Sequence, residues 1–333
     1  MASETLSGKS NALGVAWGLF SAIAFAVLVP GSKMVLQSLT PLQVAALLLL
    51  GGGIGAGCFA LIRIALGRGK SSSAKKILRS DAPKLALMIA LNATAVGLLI
   101  VGVHHVLATN ASLLMGFEIA AATVFGWVLF RRHLCYKAGA AVALICVATA
   151  LLCWNVIAPA SFVPESLFIV AACVLRGLEG GFKKTLADKD PLQVACVRSL
   201  VAGIILAIVA IAVDGLPTAG FSTIASTVLL GFVTFGIGAS LHLLSQRTLG
   251  SARSEAYFAL APFIAMIVSW AMFGFALEPL FFGALSLMAL GVWLAMDDSV
   301  FHEDAFAALD RERMALYTGE AHSFGFDRMH RPL

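Results

Sequence analysis

The chain has 333 residues, 60% of them hydrophobic and only 12% charged, with a mean hydropathy of +0.94. Soluble domains carry about 25% charged residues, so a soluble globular fold is excluded and a polytopic membrane protein is indicated. The net charge of +5 would point to a nucleic-acid partner in a soluble protein, but the placement of the bases along this chain accounts for it, and no nucleic-acid partner is expected.

Residues 1–11, MASETLSGKSN, read as a short cytoplasmic leader. The apolar run behind it, 12–36, is too long for a signal-peptide core and lacks the usual basic cluster, so it reads as an uncleaved first helix. Nine further runs follow, at roughly 43–66, 84–104, 109–130, 134–154, 164–182, 192–213, 222–245, 253–275 and 279–297. We number the ten as runs 1 to 10. Each is near the length that spans a bilayer. The longest internal connection, 67–83, leaves no room for an extramembrane domain with a catalytic or nucleic-acid function of its own. Residues 298–333 read as a cytoplasmic tail. Its His302, His322 and His330 are too scattered for a metal site, while Phe301, Phe306 and Leu309 could dock on the membrane surface.

Charge sets the orientation. With the N-terminus in the cytoplasm, the inner connections hold Arg68, Lys70, Lys75, Lys76, Arg79, Arg131, Arg132, Lys137, Lys183, Lys184, Lys189, Arg247 and Arg253. The outer connections, 37–42, 105–108, 155–163, 214–221 and 276–278, hold no Lys or Arg. A wrong number of crossings would scramble this alternation, so it supports ten crossings with both termini cytoplasmic.

An internal repeat is also present. PLQVA occurs at Pro41–Ala45 and again at Pro191–Ala195, 150 residues on, and Gly31-Ser32-Lys33 matches Gly181-Phe182-Lys183 at the same offset. Leu107-Ala108-Thr109 with Ser112 matches Leu249-Gly250-Ser251 with Ser254. Two five-helix halves, residues 12–155 and 164–297, enter the membrane from opposite sides because five is odd. The expected fold is an all-α polytopic membrane protein of ten transmembrane helices in two inverted five-helix repeats. Such repeats typify secondary transporters with a binding site near the midplane.

Three stretches carry a resemblance: Ala108–Ile119, Leu249–Trp270 and Pro30–Gly55. Together they resemble the drug/metabolite transporter superfamily, EamA type, over about residues 12–297. The resemblance implies a central cavity lined mainly by helices 1, 3, 4, 6, 8 and 9, and transport of small metabolites, often export. The family's usual acidic residue after the ninth helix is kept as Glu278, whereas Arg131-Arg132 follow the fourth.

The polar residues inside the runs are the candidates for chemistry. Glu118 lies mid-run in TNASLLMGFEIAAATVFGWVLF, residues 109–130. A charged side chain at the bilayer centre costs about 2.5–3.5 kcal/mol on insertion scales. It reads as a proton carrier or a ligand for a cationic group, against the plainer reading of a structural carboxyl bonded to a neighbouring helix. Arg176 and Glu179 stand three apart on run 6, hence on one face. They form either a self-neutralising intrahelical pair or a cavity pair that exchanges partners with Glu118 or a solute. Lys33, after Pro30-Gly31, could snorkel to the outer interface or serve as a counter-charge to Glu118 or a solute carboxylate. Asn92 reads as interhelical glue or a solute contact. His242, with Ser245 and Gln246 on its face, reads as a packing residue or a proton relay, and Tyr257 as a possible cavity hydrogen bonder. Glu255 could simply favour a helix N-terminus.

The adjacent His104 and His105 point about 100° apart on a helix, a poor metal pair. Gly51, Gly52, Gly53, Gly55 and Gly57 suit close helix packing and lack the Lys-Ser/Thr end of a phosphate loop. Cys58, Cys146, Cys153, Cys173 and Cys196 read as small buried hydrophobes, and Cys135 falls at a helix start. No metal, cofactor or catalytic residue is expected. The sequence therefore points to a secondary transporter in the bacterial inner membrane, partnered by the bilayer and a small solute. Both charge signs near one cavity suit an amino acid or similar zwitterion, and a proton gradient is the natural energy source since no Walker motif is present. The alternatives from other classes are an integral membrane enzyme built on His104-His105 and a membrane sensor or assembly protein.

Overall fold

The computed structural model describes residues 2–65, 81–130, 136–155, 161–183, 189–249, 251–274 and 279–295. Helices cover every apolar run. Run 1 is α1 (Ala2–Ala26) and α2 (Leu28–Val35), run 2 is α3 (Pro41–Ala65) and run 3 is α4 (Ala82–His105). Run 4 is α5 (Ala108–Leu114) and α6 (Phe117–Phe130), and run 5 is α7 (Tyr136–Leu152). Run 6 is α8 (Ser166–Lys183) and run 7 is α9 (Pro191–Asp214). Run 8 is α10 (Phe221–Gly231), a π-helical segment (Phe232–Gly238) and α11 (Ala239–Leu249). Run 9 is α12 (Ser251–Phe258) and α13 (Ala261–Phe273), and run 10 is α14 (Pro279–Ala295). Residues 2–11 thus continue the first helix backwards. A two-residue antiparallel pairing, Trp154–Asn155 with Ser161–Phe162, and a single bridge residue, Lys189, depart from helix-and-connection among the described residues. By length and apolar composition seven stretches can cross a membrane, and Tyr136–Leu152 and Pro279–Ala295 are shorter apolar helices. The tail, Glu278 and the basic residues Arg68, Lys70, Lys75, Lys76, Arg79, Arg131, Arg132 and Lys184, together with Cys135, lie outside the described residues.

Local sequence explains where helices begin and break. Thr40 and Gln43 make a capping box at the start of α3: Gln43 N donates to Thr40 Oγ1, and Thr40 N donates to Gln43 Oε1, both at 3.3 Å. Asp190 caps α9 by accepting from Leu192 N at 3.1 Å. Pro41 and Pro191 each take the first helical position, where a missing N–H costs nothing. Inside runs the same residue type breaks the helix. Pro30 collides with the carbonyl four residues back, so run 1 breaks at Val27 and not at the proline itself. Pro262 does the same to Phe258, and α12 stops there. Run 4 breaks without a proline. Gly116 N turns to Leu113 O at 2.8 Å, a tightened turn that separates α5 from α6. The expected single helix over 109–130 is therefore two pieces.

The helices pair symmetrically. Runs 2 and 7, 5 and 10, and 4 and 9 pack on each other. Run 3 packs on runs 6 and 7, and run 8 packs on runs 1 and 2; run 4 packs on run 6, and run 9 packs on run 1. Exchanging each run for the one five places along maps this set of pairs onto itself. The glycines of α3 make the central contacts: a Cβ on Gly236 would lie 2.7 Å from Gly55 Cα, so only two glycines let α3 and run 8 come this close. The core is apolar, with Leu48, Leu49, Leu99, Ile100, Leu113, Leu114 and Ile145 fully buried. The outside is apolar too: Phe20, Ile62, Ile208, Val213 and Trp293 are exposed, as a bilayer-facing surface requires.

Polar clasps join the elements at both ends. Thr40 Oγ1 donates to Asp214 Oδ2 at 2.6 Å and Gln43 Nε2 to Gly215 O at 3.2 Å. Elsewhere Lys189 pairs with Asp81 at 2.9 Å, and Arg247 reaches Asp190 at 4.0 Å.

Candidate functional site

The break in run 4 redefines Glu118. It stands in the first turn of α6, a half-helix whose N-terminus carries partial positive charge and favours a carboxylate. Cys173 on α8 attends to the other side of the break: its thiol reaches the carbonyls of Leu114 and Met115 at 3.6 and 3.7 Å, the second of which also accepts from Glu118 N at 3.2 Å. Cys173 thus has a polar duty beyond filling space. Of the other cysteines, Cys153 is buried and Cys196 half-buried, whereas Cys58 and Cys146 are exposed and not buried as expected.

Close packing brings the charges together. A Cβ on Gly177 would lie 2.8 Å from Ala122 N, so glycine at this position lets α8 lie directly against α6. One residue earlier, Arg176 Nε donates to Glu118 Oε2 at 2.8 Å. The pair is only partly enclosed, with 26% of the Glu118 side chain and 13% of the Arg176 side chain exposed. Glu179 pairs with Arg198 on α9, and only 3% of its side chain is exposed. The intrahelical Arg176–Glu179 pair therefore does not form. Each finds its partner on another helix, Arg176 on α6 and Glu179 on α9.

Asn92 is buried, and its amide nitrogen has no hydrogen-bond partner among the described residues. Run 3 meets runs 6 and 7 where Met88, Phe182 and Val194 pack together. Asn92 and Arg198 each stand one helical turn beyond that cluster.

An aromatic path leads away from Arg176. Its guanidinium carbon sits 5.1 Å from the Phe25 ring centroid, a cation–π contact. Phe25 meets Phe235 and Phe258 edge-on at 5.5 and 5.2 Å, and Phe258 meets the His242 ring at 4.5 Å. His242 Nε2 lies 3.3 Å from Glu255 Oε1 and 3.0 Å from Gln246 Nε2, while Gln246 donates to Glu255 at 2.8 Å. His242 thus has both a ring neighbour and polar partners. Tyr257 packs its Cβ against the Gly18 position of α1, and its hydroxyl makes no hydrogen bond among the described residues. Ser112 and Ser269 meet at 3.2 Å where runs 4 and 9 cross. Runs 1, 4, 6, 8 and 9 all contribute. An apolar recess between α6, α7 and α8, lined by Phe117, Val124, Phe125, Val142, Cys146 and Val174, adjoins the charges without including them.

Lys33 goes elsewhere. Its ammonium donates to the carbonyls of Val103, His104 and Val106 at 2.8, 2.8 and 2.9 Å, using all three of its hydrogens to cap the end of α4. It is not a counter-charge to Glu118. His104 and His105 stack edge-to-face at 4.8 Å beside that cap.

Two participants went unread in the sequence. Arg198 was visible as a lone base inside an apolar run, the same signal that marked Glu118. Phe25 carries no such signal, since one phenylalanine among many apolar residues looks like packing.

A sequence profile of the EamA-like transporter family matches residues 12–154 and again residues 164–296. Among solved structures, 23 chains match. One of them, a crystal structure of a protein, aligns with a TM-score of 0.56 at 17% identity, over 86% of this chain and 95% of that chain, a likeness of fold alone. No curated protein matches.

Proposed function

The chain belongs to the EamA-like transporter family, and on that premise we propose that it is a secondary active transporter exporting a small zwitterionic solute, an amino acid or related metabolite. It crosses the bacterial inner membrane ten times, with both termini cytoplasmic. The observation that carries the solute class is the Glu118–Arg176 pair at 2.8 Å, made between two helices and only partly enclosed. In the empty carrier the two charges satisfy each other. A zwitterion entering between them gives its ammonium to Glu118 and its carboxylate to Arg176. Two opposite charges replace two, so none is stranded in a low dielectric. Phe25 keeps the guanidinium in place while its carboxylate partner changes.

Access alternates by rocking of the two halves about the broken helices of runs 1, 4 and 9, with the paired runs as the bearing surface. A proton on Glu118 neutralises the carboxylate as the solute's ammonium does, which lets one site couple the two fluxes. The test is flux of a panel of amino acids and related metabolites in proteoliposomes under an imposed proton gradient. Glu118→Gln and Arg176→Gln should each abolish flux of the zwitterion that the wild type carries. Unchanged flux and pH dependence in Glu118→Gln would refute the role.

A further inference from the structure

Arg176 has two carboxylates to choose from. Glu118 faces it across the α6–α8 contact, and Glu179 follows three residues on along its own helix. It takes Glu118, and the structure offers a reason: Glu179 is already held by Arg198 of α9. We propose that Arg198 is a positioning residue that, by occupying Glu179, commits Arg176 to Glu118 and so keeps the solute-recognition pair assembled. This rests on the reading of Glu118 and Arg176 as that pair.

Three observations carry it. The four charges form a neutral series, Glu118, Arg176, Glu179 and Arg198, spread over three helices. Glu179 stands between the two arginines, Arg176 three residues back on its own helix and Arg198 across from it on α9. And the two carboxylates differ in enclosure: 3% of the Glu179 side chain is exposed against 26% of Glu118. Without Arg198, one cation must serve two anions. Stranding the more enclosed anion costs more, so Arg176 swings to Glu179 and Glu118 loses its partner. No other described cation is poised to replace it, because Lys33 is committed to the α4 carbonyls and His242 to Glu255.

The experiment needs no solute. Dicyclohexylcarbodiimide enters membranes and reacts with protonated carboxyl groups, the form a carboxyl in low dielectric takes when it loses its cationic partner, and peptide mapping by mass spectrometry reports which carboxyl reacted. In the full-length protein in liposomes, Arg198→Gln should label Glu118 about tenfold faster than wild type, as loss of a single charge contact implies, with Glu179 still protected. Glu179→Gln/Arg198→Gln should return Glu118 to the wild-type rate, since nothing then competes for Arg176, and Arg198→Lys should stay near it. Label on Glu179 in place of Glu118, or fast labelling of Glu118 in the double variant, would overturn the proposal. An unchanged Glu118 rate in Arg198→Gln would overturn it as well, and if Arg198→Gln does not fold, Arg198→Met is read in its place with the same outcomes. Failure here leaves the transport reading standing, because flux through Glu118 is measured separately.

Discussion

The Glu118–Arg176 contact can be weighed by a double-mutant cycle of Glu118→Gln and Arg176→Gln. At 2.8 Å and an effective dielectric of about 20, two unit charges attract with about 6 kcal/mol before solvation is counted. Desolvation removes much of this, though less than for a fully enclosed pair, because 26% of the Glu118 side chain is left uncovered by the protein. Each single substitution strands one charge and should cost about 2–3 kcal/mol, below the roughly 3–5 kcal/mol of a fully buried pair. The double substitution strands none, so its cost should fall short of the sum by about 1–3 kcal/mol. Equilibrium unfolding in mixed micelles, with the four proteins at matched detergent composition, measures the shortfall. Additivity within about 0.5 kcal/mol would mean that the two side chains are near each other without being energetically coupled, and the exchange mechanism would lose its basis.

Two further outcomes are expected. Gly236→Val places a branched side chain against the backbone of Gly55 and should destabilise by about 1–3 kcal/mol or more; Gly283→Ala, whose new carbon meets nothing within 4 Å, should stay within about 0.5 kcal/mol of wild type, both read from thermal aggregation in detergent. Lys33→Met removes three bonds to the end of α4 and should cost about 1–3 kcal/mol while leaving carbodiimide labelling of Glu118 unchanged. Faster labelling would return Lys33 to the role of counter-charge.

The apolar runs were legible because spanning helices are specified by local composition and length. PLQVA at both Pro41 and Pro191 announced the repeat, and each copy does start a helix, with Thr40 and Asp190 capping. Glu118 was legible as a cost without an evident return. Its setting was not, because Gly116 looks like any small residue in a membrane helix, and nothing local says that the chain will turn there. Arg176 and Glu179 misled for the opposite reason: spacing along one helix is explicit in the sequence, and spacing between helices is not.

What the sequence by itself determined was therefore everything set by one-dimensional chemistry: the apolar runs, the bias of basic residues, the duplication, the family and the presence of unaffordable charges in apolar surroundings. What the tertiary structure decided was which charge meets which. That depends on the rotation and register of each helix against its neighbours, fixed here by contacts such as Gly177 on Ala121 and Ala122 and the packing of Met88 with Phe182 and Val194. A shift of one residue at either contact would turn Arg176 or Arg198 by about 100° around its helix axis and dissolve both pairs, while leaving every apolar run as it reads in the sequence.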